Sequence, residues 1–288
     1  MCIRDSSNRM PPYNRGRTRA MSASENHGRY TPIAIPGCVL NSIPMNLPPV
    51  DLSYLRERFS ELAAQVQDAW ETSNRPDDEM DMPIMLREAM SQLVDMLNHL
   101  DEQDRDSSAE PAEINTLCEY GLHLIEELSQ VATGLEQPVL AAEIEQLSLP
   151  FALWFARHGG EIRQLAPVVN ALAFFANQAS NPQTMASLYT HCCELIDATS
   201  PACEDSAADK PEHPWRLLLL NRAIVATRSH NPELMEPAFD AIVECLPQDA
   251  MRFFAEGMEQ MAIIDYPAQV REVVRRYFAT YASPRRLH

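Results

Sequence analysis

Glu119, His123 and Glu126 are the residues whose types and spacing come nearest to a metal site in this sequence. Carboxylates and imidazoles three or four residues apart share one face of a helix, where they can bind a metal ion together. The apolar stripe of the same segment lies on the opposite face, so these side chains are expected to face water. We therefore favour a solvated helix face, and a metal-binding enzyme that uses such His and Glu clusters is kept as an alternative.

A second group of potential ligands is the run His191, Cys192, Cys193 and Glu194. Cys192 falls on the apolar stripe of its segment, whereas His191 and Cys193 fall on opposite flanks, so one metal ion would not reach both. Zinc would need two further ligands, and the sequence offers no supporting pair. Cys192 is expected to pack as a small hydrophobic residue. We predict no metal and no cofactor.

A third group lies in the most apolar predicted helix, residues 214–229. Asn221 and Arg222 interrupt a run that is apolar on nearly all sides, which predicts a central, largely buried helix. A buried arginine needs a paired acid and further hydrogen-bond partners. Two interpretations stay open: a polar cross-link between helices, or a pocket that recognises a carboxylate or a peptide backbone. The candidate binding residues are Arg157, His158, Asn221 and Arg222, with Arg228 and His230 as further polar neighbours.

Other signatures of catalysis are missing from the sequence. It contains no G-x-G-x-x-G or G-x-x-x-x-G-K phosphate loop, no G-x-S-x-G elbow and no C-x-x-C pair. Its seven irregularly spaced cysteines are typical of reduced thiols in the cytoplasm. No stretch approaches about 18 uncharged apolar residues, and the start lacks a signal peptide, so neither a membrane span nor secretion is predicted.

Charge is distributed unevenly along the 288 residues, whose formal net charge is −18. Residues 1–50 carry six arginines against two acids, whereas residues 51–150 carry five arginines against 23 acids. Residues 151–288 carry 12 basic against 16 acidic residues. Binding of nucleic acid requires a basic surface, and anionic membranes repel an acidic one, so the folded part is expected to bind neither. An acidic surface suits a basic partner.

The elements that would position these residues are helices. From residue 51 onward apolar residues recur at spacings of three and four, glycine is rare, and β-type alternation is nearly absent. Proline stands where most helices should begin, because its fixed φ and missing N–H suit the first turn. Pro167 and Pro237 instead fall inside predicted helices, where we expect kinks. The predicted helices cover residues 52–71, 83–100, 111–134, 138–146, 150–158, 161–178, 182–197, 214–229, 232–245, 248–261 and 267–281.

One internal repeat is visible, in which Asn181-Pro182 and Asn231-Pro232 are followed by the same residue types. Each proline precedes a methionine, an aromatic residue and a glutamate at offsets of 3, 7 and 12 residues. Each asparagine is expected to cap a helix, and the methionine and the aromatic residue to dock on the preceding helix. The predicted fold class is an all-α, helical-hairpin (solenoid-like) array of about ten to eleven helices with a disordered N-terminal leader.

The predicted organisation has three parts: a leader over residues 1–50, an acidic helical region over residues 51–133, and a helical-hairpin repeat-like domain over residues 134–288. The first six residues, MCIRDS, resemble a translated sequencing adaptor, which would make Met10 or Met21 the start. The main hypothesis for function is a non-enzymatic, cytoplasmic protein-protein interaction module for a protein or peptide partner, a basic one in its sharper version. The alternative is a self-associating helical bundle in which the heptad-like first helix pairs with its counterpart rather than packing on its own chain.

Overall fold

The computed structural model describes residues 46–73, 81–103, 111–205, 210 and 212–282. Within these residues the chain forms eleven α-helices of eight residues or more and one of five, with no β-strand. The predicted all-α helical array is therefore confirmed. The predicted leader lies outside the described residues, apart from residues 46–50, which have no regular secondary structure.

The helices follow each other closely along the chain, and most begin at or next to a proline. A π-helical turn, Phe278–Ala282, continues the last α-helix. The α-helices are α1 Leu52–Glu71, α2 Met82–Gln103, α3 Pro111–Gly134, α4 Pro138–Glu145, α5 Ser148–Arg157, α6 Leu165–Gln178, α7 Pro182–Asp197, α8 Pro201–Asp205, α9 Pro214–Arg228, α10 Pro232–Cys245, α11 Pro247–Ile263 and α12 Ala268–Tyr277.

Helix α1 is amphipathic, and its apolar stripe is covered by the same chain. The Asp51 carboxylate caps the helix by accepting a hydrogen bond of 3.0 Å from the backbone N–H of Tyr54. Leu55, Phe59 and Leu62 are at most 2% exposed, and α1 packs against α2, α3, α4 and α5. The surface that the self-association hypothesis required is therefore occupied within the monomer.

Helices α3 and α5 approach closely at Gly121. A Cβ atom there would overlap the ring of Phe151, and it would also lie 2.9 Å from a methyl carbon of Leu93. The Phe151 side chain is fully buried. The ring thus fills the space that any larger residue at position 121 would need, and it joins the acidic helices to the rest of the array.

The later helices are arranged as successive hairpins: α6 with α7, α9 with α10, and α11 with α12. The second helix of each pair packs on the first helix of the next, α7 on α9 and α10 on α11, and α5 packs on α6 at the start of the series. One hydrophobic core runs through the array from Leu52 to Tyr277. Since α3 also packs on α4 and α5, the core continues across the proposed boundary at residues 133 and 134, and the division into domains stays a prediction.

The two Asn–Pro helix starts are confirmed. The side chain of Asn181 accepts a hydrogen bond of 2.7 Å from a backbone N–H of the first turn of α7, and that of Asn231 accepts one of 3.0 Å in α10. The expected docking of the methionine and the aromatic residue on the preceding helix stays a prediction, and the two aromatic residues also contact later helices. Tyr189 contacts an arginine of the following helix α9, and the Phe239 ring packs against aromatic rings of α11 and α12. Both residues thus make contacts toward the next hairpin.

The predicted start of α6 was wrong. The backbone of Ile162 makes a two-residue parallel bridge with the end of α7, donating to Ala198 O at 2.7 Å and accepting from Ser200 N at 3.0 Å. Residues engaged in this pairing cannot be helical, so α6 begins only at Leu165. Pro167 therefore lies in the first turn, where it removes no helical hydrogen bond and the reason to expect a kink disappears.

Candidate functional site

Helix α9 is buried on nearly all sides, as its sequence predicts. Its buried residues include Leu218, Ala223 and Val225, each with no exposed surface, and the Asn221 side chain is likewise fully buried. The helix packs against α6 and α7, which precede it in the chain, and against α10, which follows it. Polar side chains on α9 are therefore held between hairpins, and this is where a site could be built.

Arg222 connects α9 to α7 through a single side chain. It donates a hydrogen bond of 3.3 Å to the Tyr189 hydroxyl, and its guanidinium carbon lies 5.4 Å from the centre of the Tyr189 ring. Burial raises the pKa of Tyr189, against the opposing effect of the arginine, so the phenol stays neutral. Arg222 is half-buried, and this contact is a hydrogen bond and cation–π link between two helices.

Arg157 and His158 lie at the other side of α7. Arg157 forms a forked ion pair with Glu194, with N–O distances of 2.8 and 3.3 Å, which joins α5 to α7. The His158 ring stacks on the Trp154 ring at 3.9 Å, and its Nδ1 donates to the Trp154 carbonyl oxygen at 2.6 Å. These contacts end helix α5 and fix it against its neighbour.

The contacts of Arg157, His158 and Arg222 place these three candidate binding residues in separate groups. Tyr189 and Glu194 are five positions apart on α7, which is about 140° around the helix axis. Arg222 and Arg157 therefore contact different sides of that helix. This arrangement agrees with the cross-link interpretation for these two arginines, and binding of a ligand by Arg157, His158, Asn221 and Arg222 stays a prediction.

The Cys192 region is a buried thiol beside polar neighbours. Cys192 is fully buried, and burial raises its pKa strongly, so the thiol is protonated. Burial also raises the pKa of Cys193 and lowers that of His191, which keeps both groups neutral. A neutral thiol is a poor nucleophile and a poor metal ligand.

The candidate metal ligands of α3 are spread over separate partners. Glu119 accepts a hydrogen bond of 3.2 Å from Arg163, and the His123 ring lies 3.6 Å from Glu127. Glu126 accepts from Gln130, one turn further along the helix, at 3.3 Å. Across the described part of the chain, no three His, Cys, Asp or Glu side chains lie close enough together to hold a metal ion.

Two arginines at the ends of α9 are buried. The sequence pattern indicated Arg228 only as a polar neighbour of the candidate site and did not single out Arg216. Arg216, 4% exposed, pairs with Asp249 of α11. Arg228, 8% exposed, donates hydrogen bonds of 2.8 Å to the carbonyl oxygens of Ala176 and Ala179 at the end of α6. The sequence signal for these two residues is a charged side chain in the first and in the last turn of a largely apolar helix. The neighbouring sequence does not indicate which residues they contact.

A pocket opens beside Arg228, between α9, α10, α11 and α12. It encloses about 560 Å³, its open mouth included. Most of its wall is aromatic or aliphatic, and its polar lining includes Arg228, Tyr266 and Gln260. Helices α11 and α12 approach closely at its edge, because a Cβ added to Gly257 would lie 3.3 Å from a methyl carbon of Val274.

One stretch of the described helices is long and apolar enough to cross a membrane by length and composition, namely the 20 residues Pro138–Arg157, with a mean hydropathy of 1.3. The fold divides this stretch between α4 and α5, and 61% of its most apolar window is buried inside the molecule. Core helices of soluble proteins pass the same test, so the stretch is weak evidence and establishes no location.

Comparison with protein-family models, with curated proteins and with solved structures found no match for this chain.

Proposed function

We propose that this protein is a non-enzymatic α-helical interaction module that binds a basic protein or peptide. The observation that carries the proposal is an acidic stripe on the outer face of α1. Its members, all exposed, are Glu57, Glu61, Asp68 and Glu71. We refer to these four residues as the acidic stripe.

The acidic stripe is a straight row of carboxylates, which suits the binding of an elongated basic segment. At 100° per residue its four carboxylates fall within an arc of about 80°, and they extend about 21 Å along the helix. Only Glu61 forms an ion pair with another described residue, Arg58, at 2.9 Å. The opposite face of α1 is buried in the core, so the helix holds the carboxylates in fixed positions.

The electrostatics favour a positively charged partner. Like charges along one helix face raise the local potential, which attracts basic segments and accelerates their association. Because the carboxylates are exposed, the attraction should fall as salt screens it. The proposed setting is the cytoplasm, supported by the five described cysteines, all of which are free.

The test compares capture of proteins from a host extract by the wild type and by a variant with E57Q, E61Q, D68N and E71Q. A matched control carries E204Q, E212Q, E244Q and E259Q, four exposed acids elsewhere. Both variants remove four negative charges, so the formal charge changes from −18 to −14 in each.

The expected result is a basic protein retained by the wild type and by the control, and lost by the stripe variant and at about 500 mM salt. Direct titration of that protein should then show affinity falling steeply between about 50 and 500 mM salt. Equal retention by both variants, or binding insensitive to salt, would overturn the proposal.

A further inference from the structure

The pocket beside Arg228 has the chemistry of a ligand site, independently of the acidic stripe. Its apolar wall is formed by side chains from all four surrounding helices. Phe239 and Phe254 pack edge to face with ring centres 5.2 Å apart, which gives one rigid side of the wall. The apolar lining residues that matter here are Ile224, Phe239, Phe253, Phe254, Met261 and Val274.

Arg228 supplies a charge to this apolar pocket. The residue is 92% buried, since only 8% of its surface is exposed. Its two recorded hydrogen bonds, both 2.8 Å, go to neutral carbonyl oxygens of Ala176 and Ala179. A guanidinium has five N–H donors, so these bonds leave others for a further acceptor. Among the described side chains no carboxylate forms an ion pair with Arg228.

A buried cation without a paired anion is costly. The carbonyl ends of α6 offset part of that cost, because the C-terminus of a helix carries a partial negative charge. Burial lowers the pKa of Arg228, opposed only by Tyr266, in agreement with the lack of an ion pair to a described carboxylate. Glu256 also lines the pocket, but it is exposed and its carboxylate is held by Arg252 at 2.7 Å.

Tyr266 is the second polar group at this end of the pocket. It is 5% exposed, and its ring packs edge to face against His230, with ring centres 5.5 Å apart. Arg228 and Tyr266 both line the pocket, and the positive charge of Arg228 opposes the rise in the pKa of Tyr266 that burial causes. Together they can donate hydrogen bonds to one carboxylate.

We propose that this pocket binds a small amphipathic carboxylate of the medium-chain fatty-acid class, with its carboxylate against Arg228 and Tyr266 and its tail among the aromatic and aliphatic wall residues. The ligand would supply the anion that the protein itself does not place beside Arg228.

The test uses isothermal titration calorimetry with two probes of equal chain length, decanoate and decanol. The wild type should bind decanoate saturably, one molecule per chain, and at least about tenfold more tightly than decanol, because only the carboxylate satisfies the buried cation. Equal affinity for the two probes, or no saturable binding of decanoate, would overturn the proposal.

Substitutions then assign the effect to the two residues. R228M keeps an apolar side chain and removes the charge. It should lower the affinity for decanoate by at least about tenfold and leave the affinity for decanol nearly unchanged. Y266F keeps the ring, removes one hydrogen-bond donor and should lower the affinity for decanoate by a smaller factor. If R228M does not fold, the comparison of Y266F with the wild type tests the proposal. R163M, an exposed arginine between α5 and α6, is the matched control and should bind decanoate as the wild type does. Unchanged decanoate affinity in both R228M and Y266F would show that Arg228 only clamps α6.

Discussion

The two ends of α9 each bury an arginine, and they compensate its charge in different ways. Arg216, 4% exposed, is paired with the carboxylate of Asp249. Arg228, 8% exposed, meets only carbonyl oxygens and borders the pocket. Two similarly buried arginines are thus compensated in two ways, by a carboxylate at one end of the helix and by backbone carbonyl groups at the other. Charge compensation, rather than burial alone, distinguishes a structural arginine from a candidate binding residue.

The largest expected effect is at the paired end. Replacing Asp249 by asparagine preserves its shape and removes the negative charge beside Arg216, which should lower the free energy of unfolding by about 3 kcal/mol. Urea unfolding followed by circular dichroism measures this loss. Glu259→Gln, an exposed change in the same helix, is the control and should stay within about 0.5 kcal/mol of the wild type. A loss below about 1 kcal/mol for Asp249→Asn would show that the carboxylate is not what stabilises this arginine.

A smaller effect is expected at the unpaired end. Arg228→Met removes two hydrogen bonds to the end of α6, but it also removes a buried charge that lacks a counter-ion. The two effects oppose each other, so the free energy of unfolding should fall by about 1–2 kcal/mol. The same urea titration measures it. A loss as large as that of Asp249→Asn would mean that the carbonyl groups compensate the cation as well as a carboxylate does, and the contrast between the two ends would disappear.

The smallest effect concerns the histidines that flank α9. His213 caps its start by accepting a hydrogen bond of 3.3 Å from Trp215 N, and His230 follows its end. Burial lowers the pKa of both, and Lys210 and Arg216 add to the effect at His213. A histidine with a lowered pKa binds its proton more readily in the unfolded chain, so its contribution to stability is present above about pH 6.5 and is lost as the pH falls below that value.

Unfolding midpoints in urea at pH 7.5 and pH 5 test this contribution. His213→Asn keeps a capping side chain, and His230→Asn suits the left-handed backbone there, where φ is 58°. Each variant should lose less stability on acidification than the wild type. The effect should be larger for His213, because two cations reinforce burial at that end. Variants that keep the full dependence on pH would assign it to other groups.

The sequence predicted the helices well wherever a local signal marks their ends. Asn181 and Asn231 precede prolines, and both helices begin and end at the predicted residues. The start of α6 was misplaced because Ile162 pairs with residues near Thr199, more than 30 positions away. The five-residue helix α8 was also not predicted. The start of α6 depends on a tertiary contact, which periodicity does not contain, and α8 is too short to show a periodic pattern.

The candidate site was harder to predict than the fold. The burial of α9 followed from its composition, but the partners of its arginines come from other helices. Asp249 is 33 positions from Arg216, and the carbonyl groups that Arg228 contacts lie at the end of α6, in the preceding hairpin. Contacts between polar residues of different helices depend on which face each helix turns toward its neighbour. A single sequence does not specify how the helices pack.

The contact between Gly121 and Phe151 has a consequence for finding relatives of this protein. Even a single methyl group at position 121 would collide with the ring, so a larger residue there requires a smaller or displaced side chain at position 151. Chains that share this architecture are therefore expected to keep a glycine in the third helix wherever a large ring stands about 30 residues later, and to accept a larger residue there only with a smaller one at the ring position. That covarying pair gives a signature by which distant homologues can be recognised after the rest of their sequences have diverged.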